Sequence, residues 1–140
     1  MRYFIVFLSL AGFLVATLAL RVHYNTGTEP CSINEHWDCG IVNHSSYSVI
    51  DHVPVAAIGM AGYLLLGVLA LARRRILLLV GALIGLAFAL YLSSIERNVL
   101  EVWCLYCVIS QGIIALITLM SIIWLVTVER AKSRTRKADA

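Results

Sequence analysis

Residues 103–128 read WCLYCVISQGIIALITLMSIIWLVTV: two cysteines three apart, then an apolar run without a charged side chain. Val108–Val128 alone is 21 residues long. At about 1.5 Å per residue it crosses the ~30 Å hydrocarbon core of a bilayer. Three more uncharged stretches are close to that length: Tyr3–Leu20 (18 residues), Val55–Ala72 (18) and Ile76–Leu92 (17). Hydrophobic residues make up 61% of the 140 and charged residues 14%, with mean hydropathy +0.88. A soluble domain of this size buries only about two thirds of what its unfolded chain exposes, so it cannot hide that surface.

The pattern predicts an all-α integral membrane protein. It forms a four-transmembrane-helix bundle with spans at about 3–20, 55–72, 76–92 and 104–128. A long outer loop, 22–53, lies between helices 1 and 2 and caps the bundle; a basic tail, 129–140, completes a single domain. Gly81 and Gly85 form a GxxxG in the third span, a spacing that lets helices approach closely. Arg2 followed by an apolar run and small residues also fits a signal peptide, but 18 residues exceed the ~7–15 of a typical signal core.

Charge predicts orientation. Arg2, Arg73–Arg75 and the tail cations Arg130, Lys132, Arg134, Arg136 and Lys137 fall on one side; the other holds only Arg21 and Arg97, with Glu29, Glu35, Asp38, Asp51, Glu96 and Glu101. By the positive-inside rule both termini and the Arg73–Arg75 turn are cytoplasmic. Five cations beside a membrane suit anionic lipid better than nucleic acid. The outer face then carries all four cysteines and all four histidines.

Cysteines at i and i+3 on a helix have Cβ atoms ~5–6 Å apart, near what a disulfide needs. A helix N-terminus carries partial positive charge and favours a thiolate, the species that attacks and leaves in thiol–disulfide exchange. Cys31 and Cys39, in a polar loop, are open to a partner. Two static structural disulfides are the competing reading. A metal site is disfavoured: Cys31 and Cys39 are no close knuckle, and His23, His36, His44 and His52 contain no i,i+4 pair. Asn43-His44-Ser45 fits a glycosylation sequon, a pattern too short to carry weight.

The ordered set Cys31-x7-Cys39, then Val42, Ser45 and Tyr47, then Pro54 and Gly59, then Cys104-x-x-Cys107 resembles the vitamin K epoxide reductase family. The likeness runs from Cys31 to about Gln111, and the chain's size is similar to the stand-alone bacterial members. Disulfide-bond protein B, another four-helix oxidase, has the two cysteine pairs in reverse order.

The resemblance implies a four-helix bundle holding a quinone (ubiquinone, menaquinone or vitamin K type) beside the last CxxC. It implies that Cys107 meets the quinone, Cys104 exchanges with Cys39, and Cys31 meets a thioredoxin-fold (DsbA-like) partner. Ser45 matches a serine ordering the segment above the quinone, and Val42, Tyr47 and Pro54 match parts of the covering segment. Val55 and Gln111 stand where the vertebrate enzymes carry a ligand-binding asparagine and tyrosine. Val55 has no hydrogen-bonding group, whereas the Gln111 amide can serve a quinone carbonyl or a neighbouring helix. That departure weighs against epoxide reduction and leaves ordinary quinone reduction open.

The implied function is a quinone-dependent thiol oxidoreductase that drives disulfide formation from a bacterial inner membrane, its site facing the periplasm or cell exterior. Its alternatives are quinone or vitamin K epoxide reduction as the main role, and a non-catalytic scaffold stapled by disulfides. After reduction, labelling of intact cells should reach Cys31 and miss cysteines newly placed in the Arg73–Arg75 turn or the tail. Labelling of that turn from outside rejects the orientation.

Overall fold

A computed structural model describes residues 1–25 and 33–140. Its long helices are α1 (Arg2–Tyr24), α3 (Val55–Leu71), α4 (Arg75–Ile95) and α5 (Leu105–Ala138). Between α1 and α3 lie a short helix α2 (Cys39–His44), a 3₁₀ turn at Ser46–Ser48, and strands β1 (Val49–Ile50) and β2 (Val53–Pro54). The two strands pair antiparallel. Asp51 and His52 make the hairpin's tight turn, with φ of 48° and 67°, the positive values that a two-residue hairpin loop with the twist of its strands demands. The segment read as loop is therefore folded over much of its length.

α1, α4 with its extension to Leu100, and α5 are long and apolar enough to cross a membrane. The chain is a multi-pass membrane protein. α3 is apolar but shorter, at 17 residues, or about 26 Å at 1.5 Å per residue. Its end differs from the sequence expectation by a specific closure. Arg73 adopts φ 57°, its amide bonds Ala70 O at 3.2 Å, and the Arg74 amide bonds Leu69 O at 3.0 Å. These two bonds satisfy the last carbonyls of a helix. An arginine fills a position that glycine usually holds, so the stop was not visible in the residue types.

The last span also differs. Residues 129–138 continue α5 as helix instead of forming a separate tail. At 34 residues the helix is about 51 Å long, well beyond a ~30 Å apolar core.

α1 buries Ile5, Leu8, Gly12, Ala16, Ala19 and Val22 along one face, at the three- and four-residue spacing of a helical stripe. It packs on α3 and α5, and α4 packs on α5 and α3, which closes the bundle. Ile5, Tyr63, Leu66, Leu78, Ile114 and Ile117 form the centre. Phe7, Leu14, Leu64, Ile76 and Leu77 remain exposed, as lipid contact requires. The GxxxG serves two neighbours: Gly81 meets Leu66 of α3, and Gly85 meets Ile114 of α5. Thr118 and Ser121 return their hydroxyls to carbonyls four residues back, at 2.8 and 2.7 Å, so the buried hydroxyls cost little.

One contact is tighter than the rest. The Tyr63 ring lies where a side chain at Gly12 would be, and its hydroxyl bonds Ser110 on α5. Three helices thus meet at this point. Gly12→Ala should destabilise the protein by about 1–3 kcal/mol, since overpacking a tight core forces it apart. Gly112→Ala, where nothing lies within 4 Å of an added Cβ, should not lower stability. Thermal unfolding in detergent checks both; equal Tm values for the two variants reject this packing.

Candidate active site

Cys104 is not on the helix. It is the N-cap of α5, with extended backbone (φ −96°, ψ 118°), and Cys107 occupies the first turn. The Cys104 carbonyl accepts from the Val108 amide at 3.0 Å, which starts the helix. The expected pair sharing a helix face is therefore one helical thiol and one thiol at the entry to the helix. Both are free.

Cys39 opens α2, and Asp38 caps that helix by accepting from the Gly40 and Ile41 amides at 2.8 and 3.2 Å. Cys39 is disulfide-bonded; it is also fully buried, whereas its polar loop had suggested a position open to a partner. Cys31 lies outside the described residues. The segment before α2 is tied to the one before α5. The Trp103 amide bonds His36 O at 2.8 Å, and the Asp38 amide bonds Trp103 O at 3.1 Å. The Trp37 and Trp103 rings sit beside each other, centroids 6.4 Å apart. This tether carries Cys39 into one buried cluster with Val22, Val42 and Cys104.

Asn43 bridges the cysteine segments. Its side-chain amide donates to Cys39 O at 2.9 Å and to Cys104 Sγ at 3.5 Å. His23 on α1 contacts the Asn43 backbone carbonyl. The neighbouring Cys107 side chain holds Cys104 below the usual thiol range despite its burial, and the Asn43 amide adds to this.

Cys107 faces a cavity of about 580 Å³ that opens among α1, α3, α4 and α5. Its wall is mostly apolar, with Phe88, Leu66 and Ile114 in it and a few polar groups near the cysteine. That size and lining suit a small aromatic ligand. Ser45, Tyr47 and Val55 line it too. Ser45 also donates to Val42 O at 2.7 Å and so closes the end of α2. Cys104 and Cys39 are not on the wall, so Cys107 stands between the cavity and the loop thiol.

Gln111 is placed elsewhere. It is off the cavity wall, and its Oε1 accepts from the Ser93 hydroxyl of α4. Of the two uses the sequence allowed, the bond to a neighbouring helix is the one present.

Two residues escaped the sequence reading. Asn43 had been seen only inside a sequon. Glu96 had been counted among outer charges, but it is 3% exposed and lines the cavity. α4 loosens there into a π turn, Glu96–Leu100, which ends at Glu101 with φ 55°. The Glu96 Oε2 accepts the Cys104 amide at 3.2 Å, and the carboxylate lies on the same cavity wall as Cys107. A signal existed: a carboxylate at the end of a membrane helix is a functional candidate by default.

No curated protein matches the chain. The profile of the vitamin K epoxide reductase family matches residues 3–122, which takes in nearly all of α1, all of α3 and α4, the first half of α5 and every residue of the site. With a CxxC set against a cavity between apolar helices, the chain is a membrane thiol oxidoreductase and belongs to the vitamin K epoxide reductase family.

Proposed function

We propose that the chain is a quinone-dependent thiol oxidase that makes protein disulfides, of the stand-alone bacterial type. The observation that carries this is the order of thiols. Cys107 is on the wall of an apolar cavity, Cys104 lies behind it, and Cys39 shares a buried cluster with Cys104. Membership of the family supports quinone dependence in general terms. The cavity volume and its apolar wall fit a quinone ring, with Cys107, Ser45, Tyr47 and Val55 as the residues that hold it. A bound quinone supplies an acceptor for two electrons and two protons.

The chain's own residues do the rest. A reduced thioredoxin-fold partner on the outer face gives its electrons to the Cys31–Cys39 disulfide. Reduced Cys39 then attacks the oxidised Cys104–Cys107 pair at Cys104, which shares its buried cluster. Cys107 leaves as the thiol facing the cavity, and Cys31 resolves the mixed disulfide by taking Cys39 back. Asn43 holds the two exchanging segments in register and favours negative charge on the Cys104 sulfur. For electrons to flow this way the partner must be far more oxidising than cytosolic thioredoxin, with a potential near about −120 mV. The outer loop and active site then face the periplasm or cell exterior, with both termini cytoplasmic. The test of the whole reading is quinone reduction by purified protein supplied with a reduced thioredoxin-fold substrate; no reduction rejects it.

The exchange step has its own check. The double variant Cys31→Ala, Cys107→Ala retains only Cys39 and Cys104, and mild oxidation should join them within one chain. Proteolysis and mass spectrometry locate the bond. Two persistent free thiols there reject the relay. The lowered pKa of Cys104 makes a further prediction in the reduced protein. Cys107→Ala removes the larger of the two lowering influences, so thiolate absorbance should appear at higher pH than in Asn43→Ala. The reverse order, or no change in either, removes the electrostatic role given to these groups.

A further inference from the structure

The thiol relay leaves Glu96 unused. Among the described residues it is the one carboxylate on the cavity wall, and it is almost fully buried. A carboxylate in apolar surroundings persists only with hydrogen-bonding partners. The partner of Glu96 is the Cys104 amide at 3.2 Å. That contact alone would describe a cap, since it satisfies an orphan amide at the head of α5. The Cys107 thiol, a reacting group, lines the same cavity wall as the carboxylate. The π turn that begins at Glu96 is the kind of helix irregularity that often accompanies a functional site.

We propose that Glu96 is the proton-transfer residue of quinone reduction: its carboxylate takes the proton of the Cys107 thiol and delivers it to a quinone oxygen. This rests on the quinone reading above. Closing the Cys104–Cys107 disulfide removes two electrons and two protons from the dithiol, and conversion of quinone to quinol consumes both. Glu96 accepts the Cys107 proton, the S–S bond forms as the electron pair passes to the quinone, and Glu96 releases its proton to one oxygen. The Cys104 proton leaves to the outer solvent, and the second oxygen takes one from there. The carboxylate is then restored. The proton therefore stays inside the cavity for this step, where water is scarce.

A cap needs only an acceptor, which glutamine also provides; a proton carrier needs an ionisable group. Reduced wild-type, Glu96→Gln and Glu96→Asp proteins are mixed with ubiquinone-1 in detergent, and a single turnover is followed. Glu96→Gln should be about 100-fold slower than wild type, the range expected for loss of a general base, with Glu96→Asp between them. Reduction of the oxidised proteins by dithiothreitol should be alike in all three. A second readout needs no quinone: the infrared S–H stretching band that Cys107→Ala abolishes should move to higher frequency in Glu96→Gln. Wild-type rates in Glu96→Gln overturn the proposal and leave Glu96 as a cap. Equal losses in quinone and dithiothreitol reactions overturn it in favour of a structural role. No quinol from the wild-type protein overturns the quinone reading, and this proposal with it.

Discussion

Two backbone hydrogen bonds hold the active site together: Trp103 to His36 and Asp38 to Trp103. They join a segment before the short helix α2 to the strand-like entry of α5. The Cys39 segment is thereby fixed against the Cys104 segment. The same tether keeps Cys104 extended as an N-cap, so that its sulfur is free to meet Asn43 while Cys107 continues into the helix. Without it, the two cysteine pairs would belong to separate parts of the molecule.

The membrane setting raises the weight of each polar contact. Away from water, an unpaired polar group costs several kcal/mol, roughly. The groups near the site accordingly pair with one another: Asn43 with Cys39 and Cys104, Ser45 with Val42, Tyr63 with Ser110, Ser93 with Gln111, Glu96 with Cys104. These bonds connect α2, α3, α4 and α5 around the upper part of the cavity. Below them the contacts are apolar, and small residues at Gly12, Gly81 and Gly85 set how closely the helices approach. A rigid lower bundle thus supports a polar upper layer in which the thiols sit.

The two cysteines of the CxxC have different surroundings although they are three residues apart. Cys104 is enclosed by the loop side, with Val22, Cys39 and Val42. Cys107 is on the cavity. That division suits a pair that must exchange with a protein thiol in one direction and a small hydrophobic acceptor in the other. Glu96 bonds the amide of Cys104 and shares the cavity wall with Cys107, so its carboxylate stands beside the pair as a whole.

The amino-acid sequence by itself determined the class of molecule, the positions of three spanning helices and the clustering of cysteines at one end. These follow from run length and hydropathy, which are local properties that a bilayer reads residue by residue. The family likeness was also legible, because it lies in the spacing of Cys39, Ser45, Gly59 and the CxxC. Only the tertiary structure decided which polar side chains meet those cysteines. Asn43 reaches Cys104 across 61 residues of chain, and nothing in a sequon-like triplet announces that contact. The Gln111 amide can donate as well as accept, and the nearness of Ser93 gives its Oε1 a partner on α4. Glu96 was legible only as a charge on the outer side, and the fold buries it on the cavity wall. Hydrogen-bond partners are selected by proximity in the folded bundle, whereas sequence records only what each group is able to donate or accept.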